Sequence, residues 1–303
     1  MEFHRVGLQD KEWITDFLNH AFTLNADYSY YGNYIWRDVY HAEVARMQDL
    51  LVYRAHVEDR CMISFPLGQG DAAGVLRQLY AKAKERGEDF IVCSADKAQI
   101  DMLREAGLGD FAVRDMRGAA DYIYEAERLI SLSGKKLHAK KNHVNAFEKS
   151  HSWEIQPIDL TNVAVAAMLN ERWDEDRTED APERTSEIRQ ESVVLGNVFR
   201  EWEACGLNGI LLYADGEPEA FAVGSMINDR VLEVHFEKAN GMLRGAYQMI
   251  NREFVKYMKE LHPELTYVNR EDDMGYENLR KAKLSYDPCT IVEKYTLLFD
   301  QRG

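Results

Sequence analysis

At 303 residues, roughly twice the length of an ordinary domain, the chain has room for two hydrophobic cores. Its 46% hydrophobic and 29% charged residues, with only 6 prolines, exclude a disordered or fibrous protein. A formal charge of −15 excludes non-specific attraction to nucleic acid or anionic membrane as a whole-molecule property, so any such contact has to be local.

The amino end, MEFHRVGLQDKEW, lacks the apolar core of a signal peptide, and no later run approaches the ~18 apolar residues of a membrane span. A cytoplasmic protein without integral membrane association is expected. A helix follows Asp10, with Trp13, Phe17, Leu18 and Phe22 at helical intervals, and the aromatic stretch Tyr28 to Trp36 has the density of core rather than of a ligand shelf. LLVYRA and CMISF, on either side of the polar His56 to Arg60, form a predicted hairpin. From Asp71, Val75, Leu76, Leu79, Tyr80 and Ala83 recur at helical spacing until Gly87; strand DFIVCS and a helix from Asp96 to Ala106 complete a first lobe.

The segment Ala126 to Asp180 is mostly helical in pattern, and a charged helix runs from about Pro182 to Ala204. Nine acids (Glu171, Asp174, Glu175, Asp176, Glu179, Asp180, Glu183, Glu187 and Glu191) face four arginines there. Alternating charge on a helix points to a solvated face, and no metal site is expected. Strands GILLYA and AFAVGSM then flank the turn DGEP, and VLEVHFE is a third strand. A helix carrying Ala246, Met249, Ile250, Phe254, Tyr257 and Leu261 precedes strand LTYV; a shorter helix and a single strand, IVEKYTLLF, end the chain. Cys61, Cys93, Cys205 and Cys289 are too scattered for a CxxC metal pair or a disulfide framework and are expected as thiols.

The second half thus repeats the element order of the first. Gly74 to Arg77 echoes Gly241 to Arg244, and Leu103 to Leu108 echoes Leu279 to Leu284, as an internal duplication would. Two lobes are expected, residues 1–130 and 131–303.

The stretches DYIYEAERLISLSGKKLHAKKNHVNAF (Asp121 to Phe147) and YVNREDDMGYENLRKAKLSYDP (Tyr267 to Pro288) resemble the two signature stretches of the phosphatidylglycerol lysyltransferase C-terminal domain family. The resemblance extends over nearly the whole chain. It implies an α/β (α+β) fold of two tandem GNAT-like lobes, as in Fem-type aminoacyltransferases, each a mixed, largely antiparallel sheet flanked by helices. It further implies a structural first lobe, an active second lobe, and transfer of an amino acid from aminoacyl-tRNA to an acceptor such as a lipid hydroxyl, with no required cofactor. Full-length lysyltransferases carry a transmembrane region before this domain and this sequence shows none, which leaves the acceptor open between a lipid and a small molecule.

Period-two alternation in VLEVHFEK places Glu233, His235 and Glu237 in one row, with Leu232, Val234 and Phe236 opposite. On the central strand of a GNAT-like lobe a carboxylate or imidazole in that row can take a proton from an attacking amine or hydroxyl; the alternative is a half-solvated strand. Lys238, Asn240, Gly241 and Arg244 join strand to helix, where exposed N–H groups would suit an acyl-CoA pyrophosphate. Asn269, Arg270, Glu271 and Asp272 follow a strand end: the acids can hold an ammonium group and Arg270 a carboxylate or phosphate, while Asp272 or Asp273 caps the next helix. Lys135, Lys136, Lys140 and Lys141, with His138 and His143 and no acid up to Phe147, form either a phosphate-binding surface for tRNA or a solvated helix paired with the acidic one. If tRNA is the donor, that helix should open toward the Glu233 face. No GxSxG, HExxH or Walker loop occurs, and an activated ester or thioester donor needs no protein nucleophile. The alternatives are an acyl-CoA-dependent N-acyltransferase of a small amine and a non-catalytic binder of a small molecule or tRNA.

Overall fold

The computed structural model describes residues 2–57, 60–180 and 184–299. The chain begins with β1 (His4–Arg5), α1 (Lys11–Ala21), α2 (Tyr30–Ile35), β2 (Glu43–Met47), β3 (Leu50–Val57), β4 (Arg60–Ser64), β5 (Leu67–Gly68), α3 (Ala72–Arg86), β6 (Phe90–Ala95), α4 (Lys97–Glu105) and β7 (Phe111–Asp115). Next come β8 (Asp121–Glu125), α5 (Ala126–Ser131), α6 (His138–Ser150), β9 (Trp153–Pro157), α7 (Val163–Asp180), α8 (Thr185–Arg200) and α9 (Trp202–Cys205). The remainder is β10 (Asn208–Ala214), β11 (Glu217–Asn228), β12 (Val231–Ala239), α10 (Ala246–Leu261), β13 (Tyr267–Asn269), α11 (Glu277–Leu284), β14 (Thr290–Val292) and β15 (Tyr295–Phe299).

Local chemistry accounts for the long elements. Asp71 accepts from the Gly74 N–H at 2.8 Å to start α3, and Gly87, at φ +67°, ends it in the left-handed conformation glycine tolerates. Asp96 and Gln99 form a reciprocal cap on α4. In α10, Met249, Ile250, Phe254 and Met258 recur on one side and are fully buried, each contributing roughly 1.5–3 kcal/mol of apolar transfer.

Two compact units result. The described residues through Asp121, with Asp272–Tyr276 and those from Val292 on, form the first; Tyr122–Glu271 and Glu277–Ile291 form the second. The first sheet runs β1-β2-β3-β4-β6-β15-β7, with β5 beside β3, and the second β14-β8-β13-β12-β11-β10-β9. One parallel pairing lies inside each, β4 with β6 and β12 with β13. The first sheet also takes one strand from outside its own run of sequence, β15, which inserts between β6 and β7; in the second sheet β8 lies between β13 and β14.

The units therefore interleave in sequence, and a single cut at 130/131 does not describe them. The predicted single strand IVEKYTLLF is divided between the sheets as β14 and β15. The break falls at Lys294, whose buried ammonium donates to Asp27 at 2.6 Å and to Asp121 at 2.7 Å within the first unit. Burial alone would push that lysine down; Asp121 and Asp27 more than offset it and hold the group charged.

Strand β9, inside the segment with a helical pattern, pairs with β10 from Trp153 opposite Ala214 to Pro157 opposite Ile210. It is an edge strand, the position where a proline is tolerated. The first sequence echo does not superpose either, since Gly74 lies within α3 whereas Gly241 precedes α10; strand order carries the duplication instead. Glu183, and the side chains of Glu179 and Asp180, lie outside the described residues. Among those described, no helix is long and apolar enough to cross a membrane.

Candidate functional site

The predicted row on β12 is broken by a bulge. Val223 on β11 faces Phe236, but its neighbour Gly224 faces Val234, so two residues of β12 are passed for one of β11 and His235 is the extra one. Gly224 permits the irregularity: a Cβ there would lie 2.3 Å from the Glu233 carbonyl oxygen and 3.0 Å from the Phe254 ring. Leu232 and Val234 face the core that contains α10; past the bulge Ala239 does, and Glu237 turns to the same side, where it meets Asn251 of α10. Glu233 and His235 remain on the opposite face. The alternation Glu233, His235, Glu237 is thus corrected, because one inserted residue reverses the period-two pattern.

The bulge sits where two strands part. β12 pairs with β13 over three residues only, Val231 with Tyr267 through Glu233 with Asn269, after which Arg270 bonds to Tyr122 beside β8 while β12 runs on to Ala239. On one face of this fork, His235 Nδ1 lies 3.3 Å from Glu271 Oε1, and Nε2 lies 2.8 Å from Ser225 Oγ and 3.8 Å from Glu233 Oε2. The His235 and Glu233 side chains are 1% and 3% exposed, whereas Glu271 is 38% exposed, so Glu271 is the reachable end of a buried polar chain. Burial pulls the imidazole pKa down, but the charge of Glu233 and the bond and charge of Glu271 outweigh it, and the net shift is upward. Buried Asn269 accepts from the Glu271 N–H at 2.6 Å and fixes its backbone. Glu233, His235 and Glu271 offer donor atoms within 4.8 Å of one another, a set that also has the chemistry to take a divalent cation.

On the other face, Arg270 donates to Glu237 Oε1 at 2.9 Å, and Asn251 Nδ2 donates to Oε2 at 2.7 Å. The guanidinium carbon lies 4.8 Å from the centre of the Tyr286 ring and 5.8 Å from that of Tyr124. The Lys140 ammonium, from α6, lies 4.3 Å from the Tyr286 ring centre. Lys283 donates to the Arg270 carbonyl oxygen. Ser225, Asn251, Tyr124 and Tyr286 were not among the predicted site residues; only Tyr124 and Tyr286 carried a signal, since they fall within the two signature stretches.

Residues 24–298 match the model of the family described as phosphatidylglycerol lysyltransferase, C-terminal. The chain belongs to that family. A conserved protein of unknown function from Bacteroides thetaiotaomicron has a solved structure that is 34% identical, covers 99% of this chain and 100% of its own, and aligns at TM-score 0.91. L-PGS from Bacillus licheniformis, at 14% identity, covers 97% and 93% of the two chains at TM-score 0.63. An uncharacterized protein of Mycoplasmoides gallisepticum is 27% identical over 186 residues, and the chain spans 55% of its length. FemX and a tandem GNAT protein from the clavulanic acid biosynthesis pathway share the fold at TM-scores 0.57 and 0.51, so the two sheets of this family member are two GNAT-like lobes.

The other residues singled out in the sequence of this phosphatidylglycerol lysyltransferase-family chain are placed differently. Lys238 is not at the surface of the strand-to-helix loop: its ammonium, 4% exposed, lies 2.8 Å from Glu191, 3.1 Å from Asp174 and 2.6 Å from Asn170 Oδ1, over the Trp173 ring. The bulge explains this too, since it turns Lys238 toward α7 and α8. Asp174 and Glu191 are accordingly counter-ions rather than part of a solvated face. Asn240 accepts from the Met242 N–H within the loop, Gly241 is exposed, and Arg244 approaches His143 at 3.4 Å. Asp272 groups with the first unit and accepts from the Met274 N–H; Asp273 accepts from the Gly275 N–H and pairs with Arg117 at 3.2 Å. Lys135 and Lys141 are exposed and line a concavity of about 720 Å³ with His138, while Lys136 pairs with Asp287 at 2.7 Å. The basic helix packs on α10, so the row residue that shares its face is Glu237 and not Glu233.

Proposed function

We propose that this chain is an aminoacyltransferase, taking the aminoacyl group of an aminoacyl-tRNA and passing it to a hydroxyl or amine acceptor. The observation that carries the reading is the fork between β12 and β13, where this member of the phosphatidylglycerol lysyltransferase C-terminal family has His235 and Glu271 on one face and Arg270, Glu237 and Lys140 on the other. The acceptor's oxygen or nitrogen attacks the ester carbonyl carbon, the bond from that carbon to the terminal ribose oxygen breaks, and the acceptor proton ends on the released ribose hydroxyl. Glu271, held by His235, takes the proton first; the cations on the opposite face hold the RNA end and offset the carbonyl's developing negative charge. Alignment supplies the rest, because the ester is already activated.

The acyl-CoA alternative has less support. Lys238 is committed to carboxylates, and α6 presses against the start of α10, where a Cβ on Gly245 would lie 2.7 Å from the His143 carbonyl oxygen. No cofactor is needed in the reading proposed.

The test supplies purified protein with tRNA charged with labelled amino acids, and separately with labelled acyl-CoA, in the presence of phosphatidylglycerol vesicles or small amines. Label should leave the charged tRNA for an acceptor, and Glu271→Gln should slow that transfer roughly 10²–10⁴-fold. Charged tRNA that decays no faster than in buffer, or transfer from acyl-CoA alone, would overturn the proposal.

A further inference from the structure

Resting on that reading for its choice of ligand, we infer that Arg270, Lys140 and Tyr286 form a binding site for a singly charged phosphodiester, the linkage before the terminal nucleotide of an RNA donor. Two cations converge there beside a single carboxylate, and both oxygens of Glu237 are already engaged, by Arg270 and by Asn251. Lys140 has no carboxylate partner among the described residues and faces only the Tyr286 ring. Its own burial and the nearby Arg270 guanidinium both hold its ammonium below the usual lysine range, so a positive charge is kept there against desolvation and repulsion.

The tyrosines cannot supply the balancing charge. Burial pushes the hydroxyls of Tyr286 and Tyr124 well above the ordinary phenol range, which keeps both protonated. Hydrogen bonding is incomplete in the same place. Arg270 Nη1 is a buried donor with no acceptor. An anion that accepts from Arg270 Nη1 and Lys140 satisfies the guanidinium and relieves the repulsion together. A carboxylate would meet the same charge requirement. The phosphodiester is favoured because Lys140 belongs to the helix whose outer lysines, Lys135 and Lys141, border an open concavity that can carry further phosphates.

The experiment titrates the full chain with the dinucleotide CpA, which has one phosphodiester, with cytidine plus adenosine, which have none, and with acetate, by calorimetry at two salt concentrations. CpA should bind, more weakly at high salt, and the nucleosides and acetate should not. Lys140→Gln should weaken CpA about tenfold or more, whereas Lys149→Gln, exposed near the far end of the same helix, should leave it unchanged. Unchanged Tm values show that the variants are folded. Equal CpA binding by Lys140→Gln, or Lys140-dependent binding of acetate without CpA, overturns the inference. CpA that fails to bind while charged tRNA is still consumed removes the inference and leaves the proposed function; Lys140-dependent CpA binding without transfer does the reverse.

Discussion

Both units set a three-residue parallel pair inside a sheet, Met62–Ser64 with Ile91–Cys93 in the first and Val231–Glu233 with Tyr267–Asn269 in the second. The residues just beyond each pair differ. In the first unit Ser64 is succeeded by Phe65 and Pro66, β4 stops, and Cys93 is followed by Ser94 and Ala95. The equivalent places in the second hold Val234 and His235, on a strand that continues for several residues, and Arg270 and Glu271. The first unit also has a buried cation, Lys294, but two aspartates enclose it. In the second, on one face of the fork, Arg270 and Lys140 have a single carboxylate beside them, Glu237. The same scaffold thus supports a closed charge cluster that holds a strand crossing and an open one suited to a charged ligand.

That comparison breaks most visibly at Lys294. Lys294→Met leaves the buried Asp121 without its cation, beside the half-exposed Asp27, and should cost about 3–5 kcal/mol, lowering Tm by roughly 6–20 °C, with part recovered on adding Asp121→Asn. Transfer activity of the protein that remains folded should be preserved; a specific loss of activity would remove the contrast between a structural and a chemical cluster. Arg270→Gln should cost less stability, about 2–4 kcal/mol, because it strands one carboxylate rather than two and Glu237 keeps its bond to Asn251. It should abolish transfer, and restoring stability with Glu237→Gln should not restore activity. Denaturant melts and transfer assays on the single and double variants separate the two effects.

The smallest expected effect lies in His235. Its folded pKa is raised above the unfolded value of 6.5, so the stabilisation it contributes is complete below that pH and is lost as pH rises through the folded value. The Tm difference between the unaltered protein and His235→Asn should be widest near pH 6 and narrow toward about pH 9. A constant difference across that range would mean that folding leaves the imidazole pKa unshifted, and a difference that widens as pH rises would mean that the folded imidazole is kept neutral.

Much of the scaffold was legible because its signals are local. Capping at Asp71 and Asp96, the apolar side of α10 and the turn that joins β10 to β11 all act within a few residues. The bulge at His235 was not legible, since nothing in VLEVHFEK distinguishes an inserted residue, and the reason for it lies on the neighbouring strand at Gly224. Glu237 was therefore expected on the wrong face and Lys238 in an exposed loop, while the fold brings Glu233, His235 and Glu271 together. The division of IVEKYTLLF was hidden in the same way, because Lys294 finds its two aspartates at positions 27 and 121. Asn251 joins the site only through packing of α10.

The insertion of β15 between β6 and β7 also governs how the protein is made. A ribosome delivers β7 roughly 180 residues before β15, about 10–40 s of synthesis at ordinary elongation rates. Through that interval β6 and β7 must wait without the strand that joins them, each with an edge open to pairing with another chain. The first unit to be translated is therefore among the last to close, and its nascent form is the species a chaperone would be expected to hold.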